Sequence, residues 1–459
     1  MDNERMTSAE LLERQREFFR SGRTLELSYR KDALHRLYKA VSERSTLLTD
    51  ALTADLGKSE TEGFLCEAGL TLTEIRCQLR HLRRWAAPKR KPTSLVNSFA
   101  ASYILREPLG SVLVMAPWNY PVLLSLEPLV GAVAAGNTVI LKPSAYAPHS
   151  SRVLADLVSS VFPPEYVAVV EGGRQANSDL LDLPFDHIFF TGSVAVGRVV
   201  MERAAKNLTP VTLELGGKSP VIVEKTADIS MAAKRIVFGK LLNAGQTCIA
   251  PDYILAERPI HDALLEELKK QFAIQCPEPM GNAFTHIVNE KHFDRVLGLI
   301  DPEKCVFGGG ADRNTLHIEP TILDGVAASD AVMQQEIFGP ILPILTVDSM
   351  AEAEEFIRAR PKPLALYVFT NDRAAADRFT RHVSSGGACV NDTISHILAS
   401  NLPFGGVGNS GMGQYHGEYS FRTFSHEKAV VRKILHPDMP MRYTPYKKEY
   451  DGLVRRMLR

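Results

Sequence analysis

The chain has 459 residues, of which 45% are hydrophobic and 23% charged, a composition typical of globular proteins. Lys plus Arg and Asp plus Glu both number 53, so no overall charge favours binding to nucleic acid. The length exceeds what one hydrophobic core usually supports, and more than one domain is expected.

The first residues, "MDNERMTSAELLERQREFF", are acidic and amphipathic. They have neither the basic start nor the continuous apolar run of a signal peptide, and none is expected. No run approaches the roughly 18 apolar residues that a membrane-spanning helix needs. We therefore expect a cytoplasmic protein without an integral membrane segment.

Six cysteines are scattered along the chain without a C-x-x-C pair, and no His or Cys stands at zinc-ligand spacing. Neither a disulfide framework nor a metal site is expected from this pattern. A reducing compartment fits it best, which leaves Cys248 as a free thiol.

Residues 2–85 alternate Leu, Phe and Tyr with Arg, Glu and Lys at helical spacing, which predicts a series of amphipathic helices. The Arg- and Lys-rich run at 79–92 admits a phosphate-binding patch. A solvated helix face that leads into a Pro-broken linker is the favoured interpretation.

Short apolar runs recur at 111–117, 138–144, 166–172, 187–193 and 210–217. Helical or irregular stretches lie between them, and this alternation predicts a doubly wound parallel sheet. In such sheets ligands bind beyond the carboxyl ends of the strands. Those ends carry polar and glycine-rich segments at 117–119, 142–144, 172–173, 191–193 and 214–217. All five segments are therefore expected at one edge of the sheet.

A second series of strands and helices follows from about residue 220 to 390, with the apolar runs "PVIVE", "YILAE", "LPILTV", "LALYVFT" and "GACVND". This series predicts a second α/β domain. The later segment "PFGGVGNSGMGQYHGE" is too rich in glycine for a helix and predicts a closely packed loop.

The stretch "NAGQTCIAPD" places Cys248 just after a predicted helix that ends at Gly245. From the residues alone, this cysteine is a nucleophile, a metal ligand, half of a disulfide or a small apolar filler. Most free cysteines are buried and inert, so filler is the starting interpretation.

Other residues at the strand ends also admit two interpretations each. Gly192 and Gly197 either meet a phosphate or only allow a tight turn. Lys142 either binds a ribose or is a surface lysine. Glu214 is a general base or a structurally paired carboxylate, and Asn119 is an oxyanion donor or a turn cap.

Taken together, the motifs "PWNYP", "LELGGK", "GQTC" and "EIFGP", in this order and at these spacings, resemble the aldehyde dehydrogenase superfamily over essentially the whole chain. The segments "NAGQTCIAPDYIL", "LPFGGVGNSGMGQYHG" and "FSHEKAVV" resemble its class 3-like branch, which includes fatty and aromatic aldehyde dehydrogenases.

The resemblance implies two doubly wound parallel-sheet domains. A Rossmann-like NAD(P)-binding domain would comprise residues 1–87 and 109–213, and a catalytic domain residues 214–400. Residues 88–108 and 401–435 would form a small β element for bridging and oligomerisation, and 436–459 a C-terminal tail. A homodimer is implied as well. The tail is basic and modestly amphipathic, and we expect it to pack on its own dimer rather than to attach to a membrane.

The resemblance also implies an oxidation of medium- or long-chain aliphatic or aromatic aldehydes to carboxylic acids. Cys248 would attack the aldehyde and carry first a thiohemiacetal and then a thioester. Asn119 would stabilise the oxyanion, and Glu214 would activate the hydrolytic water. The substrate pocket would contain Tyr120, Phe238, Leu242 and Thr247, with the segment "NDTISHI" (391–397) near its mouth.

The cofactor implied is NAD or NADP, and no metal is implied. Lys142 would hold the adenosine ribose, Glu336 the nicotinamide ribose, and Phe338 would lie against the nicotinamide. The remaining cofactor-binding residues would be Gly192, Ser193, Gly197 and Leu215, the first three of them near the pyrophosphate.

One position departs from the family pattern. Many NAD-preferring relatives carry a glutamate three residues after the ribose-binding lysine, where this chain has Ala145. A carboxylate there repels a 2′-phosphate, so its absence predicts that NADP is accepted alongside NAD.

Three alternatives stand beside the hydrolytic enzyme. A CoA-acylating aldehyde dehydrogenase would transfer the acyl group to coenzyme A, and the presence of Glu214 argues for water instead. A cofactor-free thiol hydrolase would leave the cofactor-binding residues unexplained. A non-enzymatic binding protein would not need Cys248, Glu214 and Asn119 together.

Overall fold

A computed structural model describes residues 6–281 and 284–458 of the chain. Residues 1–5, at the start of the predicted cofactor domain, lie outside the described residues, as do 282–283 in the predicted catalytic domain and Arg459 at the end of the tail.

Helices are distributed along the whole described chain. Their bounds are α1 Ser8–Arg20, α2 Leu27–Glu43, α3 Ser45–Leu56, α4 Glu60–Gly63, α5 Gly69–Ala86, α6 Leu123–Ala135, α7 Pro148–Val161, α8 Arg174–Leu181, α9 Val194–Ala205, α10 Ile229–Leu241, α11 His261–Gln275, α12 Glu290–Leu297, α13 Ala331–Gln334, α14 Met350–Arg358, α15 Arg373–His382, α16 Glu418–Thr423 and α17 Asp451–Met457. Helix α1 begins at a capping box, in which the Thr7 hydroxyl and the Glu10 carboxylate each accept the other residue's backbone N–H.

The strands are mostly short. Their bounds are β1 Lys89–Lys91, β2 Ala100–Pro108, β3 Ser111–Met115, β4 Thr138–Lys142, β5 Val167–Val169, β6 His187–Thr191, β7 Val211–Glu214, β8 Pro220–Val223, β9 Tyr253–Glu257, β10 Cys305–Phe307, β11 Ala311–Asp312, β12 His317–Ile318, β13 Thr321–Leu323, β14 Ile341–Val347, β15 Ala365–Phe369, β16 Gly387–Val390, β17 Gly411–Met412 and β18 Ser425–Lys433.

The first sheet has the strand order β17-β7-β6-β3-β4-β5. All its pairs are parallel except that of the edge strand β17 with β7. The chain moves from β3 to β4 and β5 on one side, then returns to β6 and β7 on the other. Such a reversal of strand order is the point at which doubly wound sheets bind ligands.

The second sheet has the order β10-β13-β14-β9-β8-β15-β16. Its pairs are parallel except that of β10 with β13. The predicted α/β class with two doubly wound parallel sheets is therefore confirmed. The residue boundaries given for the domains stay a prediction.

Both sheets are buried on both faces, which explains why their strands read as continuous apolar runs. In β3, Val112 and Val114 join one hydrophobic cluster, whereas Leu113 and Met115 join another on the opposite face. This alternation follows from the two-residue period of a strand. Helix α6 is buried along its whole length, and its Gly131 allows close packing, since a Cβ there would lie 2.7 Å from Ser420 Cβ.

A third, antiparallel sheet has the order β1-β2-β18. Strands β2 and β18 pair over nine residues each, from Ser425 opposite Pro108 to Lys433 opposite Ala100. These strands come from the two segments that were predicted to form the small β element.

The residues before Cys248 differ from the prediction in one respect. The predicted helix ends at Gly245, whereas α10 ends at Leu241 and a 3-10 turn covers Leu242–Gly245. The difference arises because Asn243, Ala244 and Gly245 all have left-handed φ values, of 52°, 50° and 73°, which an α-helix does not accommodate.

Across 6–281 and 284–458, no helix has both the length and the apolar character needed to cross a bilayer. Over the same residues, His, Cys, Asp and Glu form no group of three or more that could hold a metal ion. All six cysteines lie within these ranges, and each is a free thiol.

Candidate active site

An apolar cavity of about 240 Å³ lies where the ends of β6 and β7 in the first sheet meet residues 392–395, which follow β16 of the second. Cys248 and Glu214 both line it. All four residues predicted for the substrate pocket line it too, namely Tyr120, Phe238, Leu242 and Thr247. From the segment predicted at the mouth, residues 392–395 and 397 contribute.

The left-handed turn before Cys248 directs the chain into this cavity. At Gly245 a Cβ would clash with the Gly339 carbonyl oxygen, so the turn needs glycine there. The Gln246 side chain fixes the loop, because its amide donates to the Asn243 and His286 carbonyl oxygens at 3.1 and 3.0 Å and accepts the Val288 N–H at 3.1 Å.

The Cys248 thiol is half-buried and neutral at rest. Burial raises its pKa above the usual range, and the nearby carboxylates of Glu336 and Glu214 raise it further. Hydrogen bonds from the backbone N–H groups of Cys248 and Ile249 lower this pKa. Because the thiolate is the nucleophilic form, the thiol needs a base or an added positive charge before it can attack.

Glu214, the last residue of β7, provides a carboxylate suited to that task. Its side chain is buried, and neither of its oxygens has a hydrogen-bond partner among the described residues. Burial holds its pKa well above the ordinary value, as is typical of carboxylates that act as general bases. Gly405 packs beside it, since a Cβ there would lie 3.1 Å from Glu214 Oε1.

Asn119, four residues beyond β3, is buried and held in place by its backbone and its side chain. Its side-chain amide donates to the Gln246 carbonyl oxygen at 3.0 Å. Its own carbonyl oxygen accepts from Lys58 Nζ and Asn243 Nδ2, both at 2.8 Å. An amide has two N–H groups, so the second is available to an oxyanion.

Two residues that the sequence did not reveal support this arrangement. Lys58 and Glu67 form a fully buried ion pair at 2.6 Å. Glu67 also accepts the backbone N–H groups of Val122 and Leu123 at 2.8 and 3.2 Å, and Lys58 Nζ lies 3.9 Å from the ring centroid of Tyr120. Glu67 lies in a π-helical turn, Phe64–Ala68, and such turns are frequent at functional sites.

Glu336 and Phe338 lie on a loop close to Cys248. Burial raises the pKa of Glu336 to about 8, and the Asp252 charge adds to the effect. Its Oε1 is buried without a hydrogen-bond partner among the described residues, and Gly216 allows its approach, because a Cβ there would clash with the carboxylate. Phe338 has a φ of 50° and packs edge-on against Trp118 at 5.4 Å.

The loop that carries these two residues is fixed by two lysines. Lys218 pairs with Asp252 and donates to the Val332 and Gln335 carbonyl oxygens at 2.9 and 3.0 Å. Lys240, which is buried, donates to the Gly339 carbonyl oxygen at 3.3 Å. Neither lysine was predicted from the sequence to have a role at the site.

The remaining predicted cofactor residues lie along the first sheet, outside the cavity. Lys142 ends β4, donates to the Pro143 carbonyl oxygen at 2.7 Å, and has a pKa lowered to about 8 by burial. Gly192 and Ser193 form the turn between β6 and α9, where the Ser193 hydroxyl caps the helix. Gly197 packs against Leu215, with 2.6 Å between a Cβ built there and Leu215 Cδ2.

This donor set fits a dinucleotide. The buried, unpartnered oxygen of Glu336 suits a ribose hydroxyl. The first backbone N–H groups of α9, a helix of 12 residues, form an anion site. The Lys142 ammonium supplies further hydrogen bonds at the same edge of the sheet.

A sequence model described as the aldehyde dehydrogenase family matches residues 3–430. The chain belongs to this family. The resemblance inferred from its motifs is thereby confirmed, and the chain is an aldehyde dehydrogenase.

This aldehyde dehydrogenase is 46% identical over 442 residues to the 4,4'-diaponeurosporen-aldehyde dehydrogenase of Staphylococcus aureus, covering 94% of this chain and 95% of the relative. It is 46% identical over 429 residues to the dimeric NADP-preferring aldehyde dehydrogenase of Rattus norvegicus, covering 93% and 95%. Further relatives bear family 3 names, such as member H1 of Arabidopsis thaliana, at 45% identity over 94% and 90% of the two chains. The class 3-like branch is therefore confirmed.

Among solved structures, the substrate-bound state of Staphylococcus aureus AldH superimposes with a TM-score of 0.97 at 44% identity. The match covers 99% of this chain and 100% of that one. The fold of this aldehyde dehydrogenase is therefore shared along the whole described chain.

The raised pKa of Cys248 predicts how its thiol reacts with iodoacetamide in the absence of ligands. Since only the thiolate reacts, alkylation should accelerate about tenfold per pH unit and continue to rise past the pKa of about 8.5 that an ordinary cysteine shows. Mass spectrometry of the Cys248 peptide follows the reaction, and the Cys248→Ser variant identifies its signal. A plateau below about pH 8.5 would contradict the prediction.

Proposed function

We propose that this chain oxidises medium- or long-chain aliphatic or aromatic aldehydes to carboxylic acids, with NAD or NADP as the oxidant. The observation that carries the proposal is the presence of the Cys248 thiol and the unpartnered Glu214 carboxylate in one apolar cavity. The Asn119 amide lies beside them, fixed through Gln246.

In the first step, Cys248 attacks the carbonyl carbon of the aldehyde. Glu214 takes the thiol proton, since its raised pKa makes its carboxylate a stronger base than an ordinary glutamate. The carbonyl oxygen becomes an oxyanion in the thiohemiacetal. The Asn119 side-chain amide and the Cys248 backbone N–H donate to this oxyanion, an arrangement in which one donor contributes about 3 kcal/mol in comparable sites.

NAD or NADP, when bound, supplies the hydride acceptor. Glu336 would hold the nicotinamide ribose, with Phe338 against the ring, and Lys142 would hold the adenosine ribose. Gly192, Ser193 and Gly197 would border the pyrophosphate, and Leu215 would pack beside the cofactor. The contact between Gly197 and Leu215 supports this assignment, because it keeps the first turn of α9 close to the end of β7.

In the second step Glu214, after it has released the thiol proton, activates the water that hydrolyses the acyl-Cys248 thioester. A carboxylate that has no hydrogen-bond partner among the described residues can bind a water molecule. This supports water over coenzyme A as the acyl acceptor. A cofactor-free thiol hydrolase would leave Glu336 and Lys142 without a role.

The substrate class is inferred from the cavity and its mouth. Three side chains that line the cavity are large, apolar and exposed, namely Leu65, Phe238 and Leu398, at 60%, 45% and 60%. An apolar mouth admits a long hydrocarbon chain without desolvating polar groups. A relative named for a long apolar aldehyde, 4,4'-diaponeurosporen-aldehyde, supports this class.

We further propose a cytoplasmic homodimer that uses the three-stranded sheet as part of its interface. Apolar side chains are exposed at the end of β18 and just beyond it, where Val431, Ile434 and Leu435 are 53%, 52% and 87% exposed. Contiguous exposed apolar surface marks interaction sites. The name of the rat relative, dimeric NADP-preferring aldehyde dehydrogenase, supports this state. The domain boundaries given above belong to the same proposal.

The two-step chemistry predicts different defects for the catalytic residues. The Cys248→Ala variant should give no aldehyde-dependent NAD(P) reduction, and Asn119→Ala should be slower by about 100- to 1,000-fold. Glu214→Gln should turn over about 100- to 10,000-fold more slowly and accumulate an acyl group on Cys248. Reduced-nicotinamide absorbance and intact-protein mass spectrometry, with octanal and benzaldehyde, measure both effects. Product formation that requires coenzyme A would contradict the hydrolytic step.

The absence of a carboxylate at position 145 predicts turnover with both cofactors. Wild-type protein should reduce NAD and NADP in parallel assays with the same aldehyde. The Ala145→Glu variant should retain its turnover with NAD. Its turnover with NADP should fall about tenfold or more, because the new carboxylate repels the 2′-phosphate. Wild-type turnover with NAD alone would contradict the prediction.

The proposed interface predicts that the protein changes from dimer to monomer in solution when the apolar surface of the interface is made polar. Wild-type protein should sediment as a dimer, and the double variant Val431→Asp/Ile434→Asp as a monomer with the same circular dichroism spectrum. Leu208→Asp is the control, since Leu208 is 90% exposed elsewhere on the chain. A monomeric wild type at micromolar concentration would contradict the proposal.

A further inference from the structure

The segment after β5 places a carboxylate beside Lys142. Strands β4 and β5 are parallel neighbours, with Leu141 opposite Val169 and the Val170 N–H donating to the Leu141 carbonyl oxygen at 2.9 Å. Lys142, the last residue of β4, and Glu171, two residues after β5, therefore lie at the same edge of the sheet. The Glu171 charge raises the pKa of Lys142 against the lowering effect of burial, so the two side chains are within electrostatic reach.

The Glu171 carboxylate has only weak protein partners. The Ser151 hydroxyl donates to its Oε1 at 3.3 Å, and Arg152 Nε lies 3.8 Å from the same oxygen. The Glu171 side chain is 26% exposed and that of Arg152 71%. Exposed ion pairs at such distances contribute about 0–1 kcal/mol, so either residue can exchange its partner for a ligand.

Space is open two residues beyond Glu171. Among the described residues, and apart from its chain neighbours, no atom would lie within 4 Å of a Cβ added at Gly173. Ala145 is exposed three residues beyond Lys142 and presents no carboxylate. Glu171 after β5 and Arg152 on α7 thus supply charged groups near Lys142, whereas position 145 supplies none.

We propose that Glu171 and Arg152 select the cofactor, a role that rests on the proposed function of Lys142 as the lysine of the adenosine ribose. Glu171 accepts a hydrogen bond from the ribose 2′-hydroxyl of NAD. Arg152 leaves Glu171 and pairs with the 2′-phosphate of NADP.

The chemistry of the two groups explains how one site accepts both cofactors. A carboxylate binds a hydroxyl donor and repels a phosphate, so Glu171 alone would exclude NADP. A guanidinium matches phosphate oxygens with paired N–H donors and stays charged at all working pH values. Arg152 is on the second turn of α7, exposed, and can therefore offset that repulsion without disturbing the core.

Binding measured by isothermal titration calorimetry, without aldehyde, tests the pair separately from catalysis. In Glu171→Gln the Kd for NAD should rise about tenfold, as for a lost hydrogen bond to a charged group, and the Kd for NADP should fall. In Arg152→Gln the Kd for NADP should rise about tenfold, with the Kd for NAD unchanged. Glu165→Gln is a matched control, because Glu165 is also 26% exposed and pairs with an arginine, Arg14, at 2.9 Å.

A rescue variant distinguishes ligand contact from local structure. Adding Ala145→Glu to Glu171→Gln should restore the wild-type Kd for NAD, since the new carboxylate reaches the same hydroxyl by another route. Glu171→Gln that leaves both Kd values unchanged, or raises both equally, would overturn the proposal. A wild type that binds both cofactors but oxidises no aldehyde would overturn the proposed function and leave the selecting pair standing.

Discussion

The site depends on one carbonyl oxygen, that of Asn119. It accepts from Lys58 Nζ and from Asn243 Nδ2, both at 2.8 Å, so the N-terminal helices, the first sheet and the turn before Cys248 meet at this atom. Lys58 is fully buried, and its Nζ is paired with the equally buried Glu67 carboxylate at 2.6 Å. Removing one partner of such a pair costs about 3–5 kcal/mol. The position of Asn119, the proposed oxyanion donor, is therefore tied to the packing of the N-terminal helices.

The low polarity of the cavity determines the protonation of the reacting groups. The pKa values of Cys248, Glu214 and Glu336 are all raised, in each case mainly by burial. The unreacted thiol is consequently protonated, and passing its proton to the Glu214 carboxylate moves the negative charge from oxygen to sulfur without creating a second charge. In the proposed mechanism, Asn119 is fixed before the reaction and stabilises the oxyanion without reorganising.

The sequence predicted those parts of the fold and site that local chemistry marks. Strands buried on both faces appear as apolar runs, and Glu214 and Lys142 stood out because each ends such a run. The hydrogen bond from Lys58 to the Asn119 carbonyl oxygen could not be predicted. The two residues are 61 positions apart, and nothing in the local sequence pattern links them. The left-handed turn was missed because Asn243 and Ala244 adopt backbone angles that non-glycine residues seldom take.

The same cavity wall determines both substrate choice and acid–base chemistry. Tyr120, Phe238 and Leu242 line the same cavity as Glu214, and this apolar wall favours an apolar aldehyde while burial keeps the pKa of Glu214 high. A polar replacement in this wall would admit water and stabilise the charged carboxylate, so the base would weaken as the pocket became more hydrophilic. The Tyr120 and Thr247 hydroxyls avoid this effect because they are hydrogen-bonded to each other at 2.7 Å. Preference for apolar aldehydes and a strong base at Glu214 are thus consequences of one desolvated surface.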